Sequence, residues 1–161
     1  MKLNFKRAGE DDIKRIYKLA RNFNYQRIFG LQKSIDDGDV WILEYDGNVI
    51  GMCRISDGKT LDYLKFNELL VKNINKTVVK YFMKKVKVLA VKYGYIKMKV
   101  TSNKVMTKIF EDNGWELDGK RFKFSNDGKK SYYDNIYTAK VNKFNYKLFG
   151  VFIAWKKNQK I

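Results

Sequence analysis

No histidine and no proline occur among the 161 residues, cysteine occurs once, at Cys53, and the 17 acidic residues are outnumbered by 34 lysines and arginines. One cysteine rules out an intrachain disulfide, and without histidine it leaves no Cys/His set for a zinc finger. The thiol economy points to a reducing cytoplasm. Carboxylates remain available to a hard cation, but the spacing of a calcium loop is absent. The first ten residues hold too short an apolar run for a secretory signal, and no stretch reaches the roughly 18 apolar residues of a membrane span.

What the sequence has in excess is positive charge. A formal net charge of +17 sets up a field that attracts phosphates and acidic surfaces. Scarce proline and histidine, lysine in place of arginine, and frequent Asn, Ile, Tyr and Phe are also what an AT-rich genome encodes. Coding bias accounts for lysine over arginine but not for a twofold excess of base over acid, because Asp and Glu are open to the same genome. Contact with a nucleic acid or an acidic protein therefore stands beside the compositional explanation. Hydrophobic residues at 45% and aromatics at 16% supply a core for one domain.

Local patterns give an element order. Residues 3–7 read as a strand, and Glu10, Asp11 and Asp12 place acid at a helix start, where it complements the dipole. Ile13, Ile16, Tyr17, Ala20 and Phe23 follow at helical spacing. A second helix is expected within residues 25–37. Strands at 40–45 and 49–55 flank Asp46-Gly47-Asn48, a hairpin signal. Residues 64–72 form a further strand, whose centre Leu69-Leu70-Val71 suits cover on both faces. Val78, Val79, Phe82, Met83, Val86, Leu89, Ala90 and Tyr93 trace the clearest amphipathic helix, which Gly94 ends. A strand at 96–100, a helix at about 104–113 closed by Gly114, a strand opening at Trp115, and strands at 121–124 and 132–141 complete the order.

The stretch from Asn103 through Phe110 to Gly114-Trp115, placed after a strand, a basic helix and a strand, resembles the second half of the GNAT superfamily, the N-acyltransferases that use acetyl-coenzyme A. Strand, helix, helix, three strands, helix, strand, helix, two strands is the GNAT order, so the resemblance spans residues 3–141. It implies a single α+β (mixed α/β) domain over residues 1–142, with a mostly antiparallel central sheet, flanking helices and a splayed strand pair. Residues 143–161, rich in Phe, Tyr, Leu, Val and Trp and ending on Lys156-Lys157 and Lys160, fall outside that pattern. They are expected to pack on the domain or on a partner, which would make them a route to a homodimer.

The resemblance also implies a site. Leu70, Val71 and Lys72 lie on the strand that pairs with the pantetheine arm in the family, and Glu68 matches a general base found in many members. Such a base is needed because an ammonium has no lone pair. The phosphate loop aligns with Asn73-Ile74-Asn75-Lys76-Thr77-Val78-Val79-Lys80, where Thr77 and Val79 replace the family's glycines and Lys76 and Lys80 bring charge. Asn103 matches the residue that contacts the cofactor arm, though Asn is also a preferred helix cap. Phe110 stands where a tyrosine acid is usual and has no proton to give, which turns attention to Tyr132 and Tyr133 in the last hairpin. Lys80, Lys84 and Lys87 on the main helix, with Lys97 and Lys99 on the next strand, are candidates for a basic groove that follows nucleic-acid phosphates.

The expected activity is acyl transfer from acetyl- or another acyl-coenzyme A to an amine. One alternative is a DNA base-modifying enzyme resembling the phage Mom-type branch, which Phe66-Asn67-Glu68-Leu69-Leu70-Val71 and Asn113-Gly114-Trp115 loosely match. The other is a GNAT scaffold without catalysis that binds nucleic acid or protein.

Overall fold

The computed structural model describes residues 2–56, 62–124, 128–129 and 131–141, excepting the side chains at 131 and 132. Residues 143–161 lie outside the described residues. The strands are β1 (Leu3–Arg7), β2 (Val40–Tyr45), β3 (Asn48–Ile55), β4 (Leu64–Val71), β5 (Lys97–Thr101), β6 (Glu116–Phe124) and β7 (Ser131–Lys140). The helices are α1 (Ile13–Arg21), α2 (Leu31–Asp36), α3 (Lys76–Lys92) and α4 (Thr107–Asp112). The predicted order is the observed one.

Local chemistry accounts for most boundaries. Asp46 (φ 49°) and Gly47 (φ 85°) both occupy the left-handed region, as a tight β2–β3 hairpin demands. The second helix is shorter than predicted because Asn24 (φ 65°) and Gly30 (φ 73°) turn the chain into left-handed conformations before it can start. The helix expected at 104–113 divides into a 3-10 turn, Lys104–Met106, followed by α4. The strand opening after Trp115 runs without a break to Phe124.

The seven strands form one sheet in the order β1-β2-β3-β4-β5-β7-β6, and among the described strands β4 and β5 are the parallel neighbours. Helices cover both faces. A Cβ on Gly51 of β3 would come within 3.0 Å of the Phe82 ring of α3, whereas the next-but-two residue, Arg54, reaches Ser34 of α2. Alternation along a strand thus puts α3 on one face and α1–α2 on the other. The core is continuous through the sheet, with Ile16 and Leu19 of α1, Leu69, Leu70 and Val71 of β4, and Val78, Phe82, Val86 and Leu89 of α3 all buried. Each such side chain contributes on the order of 1.5–3 kcal/mol.

Candidate functional site

The middle of the sheet is irregular at one residue. Arg54 stands opposite Glu68, but the next residue of β3, Ile55, stands opposite Phe66. Asn67 is therefore an extra residue in β4, a bulge that bends the strand and adds twist. It also reverses parity. Leu64 and Phe66 pair with Met98 and Val100 and are buried with them, while Lys65 pairs with Lys99. Beyond the bulge Glu68 faces Arg54 on the α1–α2 face. Pairing of β4 with β5 is confined to Leu64, Lys65 and Phe66. From Asn67 to Val71 the two strands separate, leaving a wedge open toward the start of α3.

Backbone polarity around the wedge follows from alternation. Lys72 donates its N–H to Ile50 O of β3 at 2.8 Å, so Leu70 and Lys72 address β3 and Leu69 and Val71 address the gap. Val71 is buried, and its N–H finds the thioether sulfur of Met106 at 3.4 Å, a weak acceptor. Of the three strand residues expected to meet a cofactor arm, Val71 has its amide in the wedge, and Leu70 and Lys72 do not.

At the start of α3, Asn75 is extended (φ −160°) and its side chain accepts the Val78 N–H at 2.9 Å. Lys76 and Thr77 occupy the first helical turn and are exposed, whereas Val78 and Val79 are core residues. Val79 is thus a packing residue at the position of a family glycine. Lys80 is exposed on the following turn.

Glu68 is 5% exposed and bidentate to Arg54, with Nε to Oε1 at 2.8 Å and Nη2 to Oε2 at 2.9 Å. Arg54 Nη1 also donates to Phe29 O at 2.9 Å and approaches Ser34 Oγ at 3.3 Å. Burial raises the Glu68 carboxyl above its ordinary range, against the pull of the two Arg54 hydrogen bonds. The pair ties β3, β4 and the α2 region together. Asn103 is likewise committed at both ends of its amide: Oδ1 accepts Val105 N–H at 3.0 Å as a cap, and Nδ2 donates to Phe23 O at 2.9 Å. Phe110 is fully buried against Trp115 and Tyr137, with ring centroids at 5.0 and 5.5 Å. Tyr137 donates its hydroxyl to Glu111 at 2.7 Å. Tyr133 is 60% exposed and packs on Phe122, on the sheet face opposite its neighbour Asp134. The Tyr132 side chain lies outside the described set.

On the α1–α2 face the wedge opens into a polar pocket of about 420 Å3. Phe23, Asn24 and Tyr25 close it from the α1–α2 connection, Lys65 and Asn67 come from β4, and Arg121, Lys123 and Asp134 come from the β6–β7 hairpin. Thr101 to Lys104 form the wall after β5. Asp134 is paired with Lys123 at 2.8 Å. Burial and the charge of Glu68 raise the Tyr25 phenol above its ordinary value, with the Asn103 amide opposing them and Asp134 adding to the rise. Tyr25 thus sits within electrostatic reach of both carboxylates and stays protonated.

Sequence reasoning missed Tyr25, Lys65, Arg121 and Asp134. Tyr25 and Asp134 lie more than a hundred positions apart and carry no local signal. The predicted basic groove divides into two surfaces. Lys97 and Lys99 alternate with buried Met98 and Val100, which pack toward α3, so these lysines point away from the helix that carries Lys80, Lys84 and Lys87. Among the described residues no helix is long and apolar enough to cross a membrane.

No protein-family model matches the sequence, and no curated protein matches it significantly. Solved structures do match in three dimensions. A probable acetyltransferase from Staphylococcus epidermidis aligns with a TM-score of 0.69 at 13% identity, over 88% of this chain and 100% of that one. A GNAT-family acetyltransferase from Bacillus cereus gives 0.58 at 19% identity, over 88% and 99%. The PaiA N-acetyltransferase of Thermoplasma acidophilum, solved with coenzyme A, gives 0.61 at 13% identity, over 88% and 100%. In strand order, in the parting of β4 from β5 and in likeness to these enzymes, the chain has the GNAT fold.

Proposed function

We propose that the protein is an N-acyltransferase that takes an acyl group from a coenzyme A thioester held in the β4–β5 wedge and passes it to an amine bound in the α1–α2 face pocket. The observation that carries this reading is the wedge itself: a buried Val71 N–H, aimed into a gap between two strands, meets a thioether where a carbonyl would be the stronger partner. The residues fit a coenzyme. Leu69 and Val71 would offer backbone groups to the pantetheine amides, and Lys76 and Thr77 amides with the Lys76 and Lys80 charges would face the pyrophosphate at the α3 N-terminus. Bound there, the thioester supplies an activated acyl carbon. The chain's own part is to position the acceptor amine at the mouth of the wedge and to take up its proton. Asp134, a pocket-lining carboxylate paired with Lys123, receives that proton in this proposal; the new N–C bond replaces the C–S bond, and the coenzyme leaves as its thiolate, a leaving group of pKa about 8.5.

A second reading, a binding module without catalysis, draws on a specific pair of contacts. Met106 occupies the wedge beside Val71, and Asn75 Oδ1 holds the Val78 N–H that a phosphate oxygen would use. Calorimetric titration with acetyl-coenzyme A separates the two. Replacing Asn75 by Gly frees the Val78 amide at a helix cost of only a few tenths of a kcal/mol. Binding by the parent, tightened in Asn75→Gly, is the expected result. Absence of binding of any acyl thioester to both proteins excludes acyl transfer.

A further inference from the structure

The α1–α2 face pocket has a charge that the transfer reaction alone does not call for. Lys65, Lys104, Arg121 and Lys123 line it against one acid, Asp134, and that acid is paired with Lys123 at 2.8 Å. Neither Lys65 nor Arg121 has an acidic side chain in ion-pair contact among the described residues. Arg121 stands directly across from Asp134 in the β6–β7 register, and Lys65 stands beside Lys99 in the β4–β5 register. A bound anion offsets the charge that Lys65 and Arg121 bring to the pocket.

We propose that the acceptor carries an oxyanion, a carboxylate or a phosphate, in addition to its amine, and that Lys65 and Arg121 hold the oxyanion while the amine lies toward Asp134 and the wedge. This rests on the acyl-transfer reading and names its substrate class. Arg121 brings a planar fork of donors suited to a carboxylate or phosphate, and Lys65 brings a point charge from the strand that carries the bulge. Asn24 and Asn67 around the same space offer neutral donors and acceptors. A volume of about 420 Å3 falls in the range of small-ligand sites, about 300–1,000 Å3, so the pocket has room for a small molecule. Asp134 beside two cations is what separates the two ends of such a ligand, because it repels the oxyanion and attracts the ammonium.

The test is equilibrium binding of O-phosphoethanolamine and glutamate, each an amine with an oxyanion, against putrescine, an amine without one, all without coenzyme. Either anionic amine is expected to bind at least about tenfold more tightly than putrescine, and Lys65→Ala and Arg121→Ala each to lose about tenfold or more, the scale of one hydrogen bond to a charged group. Lys84→Ala, on α3 at the other sheet face, is the control and keeps the parent's affinity. Equal binding of all three probes, absence of binding, or equal losses in Lys84→Ala and Arg121→Ala overturns the proposal. So does a DNA oligonucleotide whose binding falls in Lys65→Ala and Arg121→Ala, since the pocket residues then serve a polymer. Anionic amines that bind but receive no acyl group would sink the transferase reading and leave the pocket assignment standing. Acyl transfer to putrescine alone would do the reverse.

Discussion

Removing the Glu68 carboxylate while keeping Arg54 should destabilise the protein far more than removing both. Arg54 has 13% of its side chain exposed and Glu68 5%, and the two meet through two charge-assisted hydrogen bonds of 2.8 and 2.9 Å. In Glu68→Ala the guanidinium keeps Phe29 O and Ser34 Oγ as neutral partners but loses its counter-ion inside the fold. Breaking a buried pair in this way costs about 3–5 kcal/mol. At about 2–4 °C per kcal/mol for a domain of this size, the melting temperature should drop by about 6–20 °C. The double replacement Arg54→Met with Glu68→Leu removes both charges and restores apolar volume, so most of that loss should return. Urea unfolding followed by tryptophan fluorescence and circular dichroism measures both proteins. A Glu68→Ala protein within about 1 kcal/mol of the parent, or a double variant as unstable as the single one, would show that the pair does not hold β3, β4 and α2 together.

Further outcomes follow from individual contacts. Gly51→Ala should lose about 1–3 kcal/mol, because the new methyl meets a fully buried Phe82 ring at 3.0 Å and overpacking has that range; a denaturation midpoint equal to the parent's would refute it. Asn103→Ala removes the cap on the Lys104–Met106 turn and the tie to Phe23 O, so hydrogen exchange should quicken in both the α1–α2 connection and the turn after β5, and a response in one segment alone would count against the link. The Asp12–Glu44–Arg15–Lys6 network gives a pH dependence. The Arg15 hydrogen bond holds Glu44 low, and although burial pushes Asp12 up, the Gly9 amide, Arg15 and Lys6 together leave it below its ordinary value. Both folded values are depressed, so this contribution is complete above the unfolded carboxylate range of about 4 and is lost as pH falls through the folded values. Arg15→Ala should therefore flatten the acid limb of the stability profile, and an unchanged limb would contradict the assignment.

The order of elements was legible because each signal is local. Helical spacing from Val78 to Tyr93, the Asp46-Gly47 turn and the continuous Leu69-Leu70-Val71 run act within a few residues, and each element formed where these patterns placed it. Charge was equally plain, since a sum over the chain needs no coordinates. Residue roles at the site were less so. Asn103 is both a family match and a cap, and its position in sequence could not tell that its amide also fastens the connection after α1.

What only the tertiary structure decided begins at Asn67. One extra residue changes which face every later side chain of β4 presents, so whether Glu68 met Arg54, solvent or a substrate depended on a register that composition does not encode. The same holds for the pocket, where Tyr25, Lys65, Arg121 and Asp134 converge from four separate elements because β7 lies between β5 and β6 in the sheet. Periodicity along the chain fixes which residues turn inward; strand order and register, set by the packing of both sheet faces at once, fix which of them meet.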